Sequence, residues 1–121
     1  MKIVKLLGSA VLLFCFFPIS ACHSYHIDAT IENRSGGAIS LLEVDYPSAS
    51  FGTDALAADG IFRYRLQTRG SGQVKVQYTA GGGRTVQITG PTLFEKQEGS
   101  IEIVLLPDGK AEFHPQLNPQ H

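Results

Sequence analysis

Gln73-Val74-Lys75-Val76-Gln77-Tyr78-Thr79 runs into Ala80-Gly81-Gly82-Gly83-Arg84 and out through Thr85-Val86-Gln87-Ile88-Thr89. Valine, valine and tyrosine recur at every second place, and so do Val86 and Ile88 after the glycines. A period of two places alternate side chains on opposite faces of a strand, one face apolar and the other wet. Three consecutive glycines supply the positive-φ positions of a tight reversal. The stretch is a β-hairpin with one buried face, and a phosphate-cradling loop is excluded because a strand follows, not a helix N-terminus.

The same alternation extends in both directions. Tyr25, Ile27, Ala29 and Ile31 alternate with polar residues up to the turn cluster Asn33-Arg34-Ser35-Gly36-Gly37. A second strand covers 38–46, with Leu42, Val44 and Tyr46 on one face and Glu43 and Asp45 on the other. Residues 47–54 read as a connection, and 56–60 as the lead into a tight turn. A strand over 61–68 points Phe62, Tyr64 and Leu66 inward, next to the inward Val74, Val76 and Tyr78 of an adjacent strand. Gly90-Pro91 ends the strand that begins at Thr85, and residues 92–99 are looser. Residues 100–106 are apolar on both faces, as in a covered strand. Pro107-Asp108-Gly109-Lys110 turns the chain into a last strand over 111–114. No helical periodicity occurs after residue 22. About seven short strands in about 100 residues predict an all-β, antiparallel two-sheet sandwich of immunoglobulin or transthyretin type, with a small closed barrel as the alternative.

The N-terminus has a different character. Lys2 and Lys5 precede residues 6–17, an uncharged run of twelve that would rise about 18 Å as a helix, short of the roughly 30 Å hydrocarbon core. Pro18 breaks it. This is the form of a cleavable export signal. Ile19-Ser20-Ala21-Cys22 resembles the lipobox of bacterial lipoproteins. That resemblance implies lipid on the Cys22 thiol, cleavage after Ala21, and anchoring to the cell membrane or outer membrane of a bacterium. An ordinary signal peptidase site is the alternative. The expected organisation is a signal over 1–21, a lipidated Cys22 with a short tether over 22–24, a sandwich domain over 25–114 and a frayed tail over 115–121. Cys15 leaves with the signal, so the exported part keeps one cysteine and no disulfide.

Charge narrows the partners. The precursor has 10 Lys+Arg against 11 Asp+Glu, and loss of Lys2 and Lys5 leaves a net charge of −3. That balance argues against nucleic acid. Arg63, Arg65, Lys75 and Arg84 fall on outward positions and suggest a basic stripe for lipid headgroups, an anionic glycan or an acidic envelope protein. Asp28, Glu32, Glu43 and Asp45 form the acidic counterpart, and cross-strand ion pairing is the plainer reading of both sets. In the small-residue connection Pro47–Thr53, Phe51 flanked by Ser48 and Ser50 is a candidate partner contact. The plainer alternative is that Phe51 plugs the core.

No catalytic, cofactor or metal site is expected. His23-x-x-His26 on an extended chain puts the rings on opposite faces, and His114 and His121 are distant in sequence. Ser48 and Ser50 lie near Asp45 and Asp54 but lack the Gly-x-Ser-x-Gly elbow. The segment Glu43-Val44-Asp45-Tyr46-Pro47-Ser48-Ala49-Ser50-Phe51-Gly52, with Gly90-Pro91 and Glu98-Gly99 later, resembles a small family of bacterial exported proteins. That resemblance implies a compact exported domain and brings no substrate. Two function classes follow: a non-catalytic binding or structural module of the envelope, or an accessory subunit of an envelope hydrolase or a small hydrolase itself.

Overall fold

The computed structural model describes residues 24–118; the signal segment, Cys22 and the last three residues lie outside the described part. Eight strands form: β1 (Ile27–Asn33), β2 (Ile39–Tyr46), β3 (Ala49–Leu56), β4 (Ile61–Leu66), β5 (Gly72–Thr79), β6 (Thr85–Leu93), β7 (Gly99–Leu106) and β8 (Lys110–Leu117). Sheet I has the order β4-β1-β7-β8 and sheet II the order β3-β2-β5-β6. All pairings are antiparallel except β1 with β7, which is parallel. The barrel alternative is set aside by two separate sheets, each with its own edges. An immunoglobulin domain pairs its first strand with its second. Here β1 and β2 lie in different sheets, which is the transthyretin arrangement.

The core is the alternation made solid. Ile27, Ile31, Ile103 and Leu105 of sheet I face Leu42, Val44, Val76 and Tyr78 of sheet II, all fully or almost fully buried. In β2 the alternation skips: Ile39, Leu42 and Val44 are inward, but Leu41 is 64% exposed with φ +52°. The pairing of β2 with β5 shifts between Ser40 and Glu43, so Leu41 is the extra residue of a β-bulge. Val104 is buried on the outer side of sheet I, in keeping with the central place of β7.

Four expectations are corrected. Residues 47–54 are not a connection: Tyr46 pairs with Ala49, Pro47 and Ser48 alone make the turn, and Ser48 takes φ +83°, the type II pattern. The small residues that follow form an edge strand, where only Phe51 and Leu56 are fully buried. Gly90-Pro91 does not end β6. The register shifts between Gln73 and Lys75 and the strand continues to Leu93, Pro91 being tolerated because β6 is an edge. The last strand does not stop at His114. Pro115 pairs with Ile101 and Leu117 with Gly99 on the edge of sheet I that lies over β6. Finally, β4 and β5 are consecutive but not adjacent. They belong to different sheets, and the rings of β4 meet Phe51 of β3 across the core rather than β5; on β4, itself an edge, Phe62 is only half-buried and Tyr64 stays exposed.

Gly90 explains how the β6 and β8 edges close over each other. A Cβ there would lie 2.6 Å from the Phe113 ring. Gly90→Val is expected to destabilise the domain by about 1–3 kcal/mol through overpacking, read as a lowered urea midpoint with unchanged slope. An unchanged midpoint would show that the ring moves freely.

Candidate functional site

Strands alternate in direction, so the connections alternate between the two ends of the sandwich. One end carries the start of β1, the Pro47-Ser48 turn, residues 67–71, residues 94–98 and the end of β8. Hydrogen bonds tie these together: Arg69 N–H to Ser48 Oγ at 3.3 Å, Thr68 Oγ1 to the Phe94 carbonyl at 3.2 Å, and Asn118 N–H to the Glu98 carbonyl at 3.0 Å. The opposite, far end carries residues 34–38, 57–60, 80–84 and 107–109.

The far end is built around Asn33. This side chain is 0% exposed. Its Nδ2 donates to the carbonyls of Gly37 at 2.9 Å, Ala57 at 3.0 Å and Leu56 at 3.1 Å. Its Oδ1 accepts from Ser35 Oγ at 2.6 Å and Ser35 N–H at 3.1 Å. One amide thus joins the β1–β2 loop to the β3–β4 turn. Asn33 N–H donates to the Gly60 carbonyl and Arg34 N–H to that of Leu105, bringing in β7. The third loop is self-braced, Ala80 N–H donating to Arg84 and Gly83 N–H to Ala80.

The residues expected to meet a partner do not assemble. Phe51 lies in β3, not in a loop, and is 6% exposed. Its ring stacks on Tyr64 at 4.4 Å and 10°, with Phe62 at 6.2 Å and Tyr46 at 6.0 Å. It seals the β3–β4 side of the core, and no partner can use it as an anchor in this form. Ser48 accepts the Arg69 N–H in its turn, and Ser50 is exposed opposite Asp45. Arg63 and Arg65 face outward from sheet I, whereas Lys75 faces outward from sheet II beside Asp45. The basic stripe therefore does not exist: consecutive strands cross between sheets, and the stripe is split between the two outer faces. Arg84 is elsewhere again, at the far end.

The acids pair locally. Arg65 Nε sits 2.9 Å from Asp28 Oδ1 and Arg34 Nη2 2.9 Å from Glu32 Oε1, and both carboxylates push the guanidinium groups further toward the charged form. On β2 a hydrogen bond that the Asp45 carboxylate accepts, together with its charge, holds the Glu43 carboxyl above the usual carboxylate range. Among the described residues neither Ser48 nor Ser50 has a histidine in hydrogen-bond contact, and His114 sits in sheet I, 3.4 Å from Glu112. Among the described residues no three His, Cys, Asp or Glu side chains converge as a metal site.

Sequence reasoning passed over Asn33 as a turn residue. The available signal was the spacing of glycines: Gly36, Gly37, Gly60, Gly81, Gly82, Gly83 and Gly109 occupy the odd-numbered connections, which an up-and-down chain brings to one end.

No family model matches the chain, and no curated protein matches it. Among solved structures it is similar to the NMR structure of a protein from Eubacterium rectale, with a TM-score of 0.54 at 11% identity over 74% of this chain and 86% of that one. At that identity the likeness is one of fold, and what this chain has in common with that protein is its β architecture.

Proposed function

We propose that the chain is a bacterial lipoprotein precursor whose mature part is a non-catalytic binding module, anchored to an envelope membrane through lipid on Cys22 and engaging another envelope component, protein or glycan, with its far end. The observation that carries this reading is the rigid far end. Four loops, two of them fixed by one buried amide, form a preorganised surface on the end opposite the start of β1. The lipobox-like Ile19-Ser20-Ala21-Cys22 supports the anchor. Cys22 stands two positions before Ser24, a reach of at most about 7 Å. A lipid on Cys22 would therefore hold the N-terminal end of the sandwich at the bilayer and turn the far end outward. One acyl chain binds marginally and two or three hold firmly, at about 0.8 kcal/mol per buried methylene.

The test is on the whole precursor. It should label with a fatty-acid analogue, its mature form should carry the mass of a lipid, and Cys22→Ser should appear in the soluble fraction. A membrane-free wild type with an unmodified Cys22 overturns the anchor.

A further inference from the structure

The far end holds a concavity of about 240 Å³ bordered by Ser35, Gly81, Arg84, Asp108 and Gly109, with Tyr78 also in its lining. Tyr78 is the anomaly. It is 1% exposed, among the most deeply buried side chains of the core. Buried tyrosine hydroxyls ordinarily find a partner. The Tyr78 hydroxyl has none among the described residues, yet no sealed side-chain polar atom goes unpaired. The hydroxyl is therefore the part of Tyr78 that opens to the concavity. A phenylalanine would fill the core equally well.

Two charges stand at the rim. Arg84 lies close enough to Tyr78 to act on it electrostatically, while burial pushes the phenol up and keeps it a neutral donor. Asp108 sits in the β7–β8 turn at φ +65°. Neither Arg84 nor Asp108 is in an ion pair among the described residues, with each other or with a third group. A phenol and a guanidinium thus border the space, with one carboxylate on the same rim. A volume of about 240 Å³ equals that of about eight waters, below the range of drug-sized pockets.

We propose that this concavity binds a small carboxylate with a hydrogen-bond donor on the neighbouring carbon, its acid oxygens held by the Tyr78 hydroxyl and Arg84 guanidinium and its donor by Asp108. Free amino or hydroxy acids have this chemistry, and so does the C-terminal residue of a peptide. The inference rests on the far end being the binding end.

The experiment is an amide NMR titration of the full chain in detergent with alanine, lactate, propionate and alanyl-alanine. Alanine or alanyl-alanine should give saturable shifts at Gly81, Arg84 and Gly109. The tighter of the two assigns the source as free acid or chain end. Propionate, lacking the donor, should bind about tenfold more weakly, the worth of one hydrogen bond to a charged group, with lactate between. Tyr78→Phe should weaken alanine about tenfold and leave the melting temperature unchanged, since no protein bond is lost. Asp108→Asn should bring alanine down to the level of propionate. Far-end shifts indifferent to Tyr78→Phe and Arg84→Gln overturn this ligand chemistry alone. Saturable shifts confined to residues 67–71 and 94–98 overturn the binding-end reading with it. Absence of saturation through about 100 mM, weaker than any built site, overturns the site.

Discussion

Asn33→Leu is expected to destabilise the domain by about 3–5 kcal/mol, although leucine is close to asparagine in size and suits a buried place. The substitution removes the donor from the Leu56, Ala57 and Gly37 carbonyls and the acceptor from the Ser35 N–H and hydroxyl; the Ala57 carbonyl keeps the Gly60 N–H, and the Gly37 carbonyl and Ser35 hydroxyl keep each other. Each polar group left without a partner in a buried place loses about 1–3 kcal/mol, and those nearer the surface recover part of it from water. Asn33→Asp should be at least as damaging, because the carboxylate presents an acceptor to carbonyls that need a donor. Urea unfolding with an unchanged slope measures both. Hydrogen exchange should accelerate first in residues 34–38 and 57–60, the two connections the amide joins. An Asn33→Leu variant within about 1 kcal/mol of the wild type would mean that these loops hold themselves.

Phe51→Ala is expected to lose about 3–5 kcal/mol through the cavity left among Tyr46, Phe62 and Tyr64. Phe51→Leu should recover the larger part, since volume matters more than the stacked geometry, which adds about 0.5–1.5 kcal/mol. The result separates the two roles the sequence allows this residue. A packing ring gives a large drop in the urea midpoint and leaves co-purifying partners in place when the protein is folded. A displayed anchor gives normal unfolding and loss of partners. Burial to 6% and the 4.4 Å stack on Tyr64 belong to the first.

The hairpin from Gln73 to Thr89 was legible because each valine faces a dry core and each glutamine faces water. The same alternation marks β1, while β7 shows instead the two-sided apolar run of a covered strand, and the sandwich follows from them. What failed were the places where one element of the fold overrides composition. Ala49-Ser50-Phe51-Gly52 has the residues of a loop, but as an edge strand it pairs with β2 alone and needs little side-chain packing. Gly90-Pro91 and Pro115 look like stops, yet proline breaks a strand only where its missing N–H is needed, and β6 and β8 are edges. Which strands are edges is settled by sheet assignment, which depends on long-range pairing and has no local signature. The same gap explains the basic stripe: Arg65 and Lys75 are ten positions apart, and nothing near them says that the chain changes sheets in between. The far-end site was invisible for a further reason. Tyr78 fits its place in the alternation, and only a missing hydrogen bond distinguishes it from an ordinary core residue.

The parallel pairing of β1 with β7 sets the order in which this chain can fold. Sheet II lies wholly within residues 39–93 and includes two simple hairpins, β2–β3 and β5–β6. Sheet I cannot be completed that way, because Ile27 must wait for Gly99 and Asn33 for Leu105. Closing so long a loop is entropically late and places the domain among the slow folders, on the order of milliseconds to seconds. Until residue 105 is available, β1 exposes one edge and half of a hydrophobic face. Any chain cut short before β7 is therefore left with an open, sticky strand at its own beginning, ready to pair with another copy.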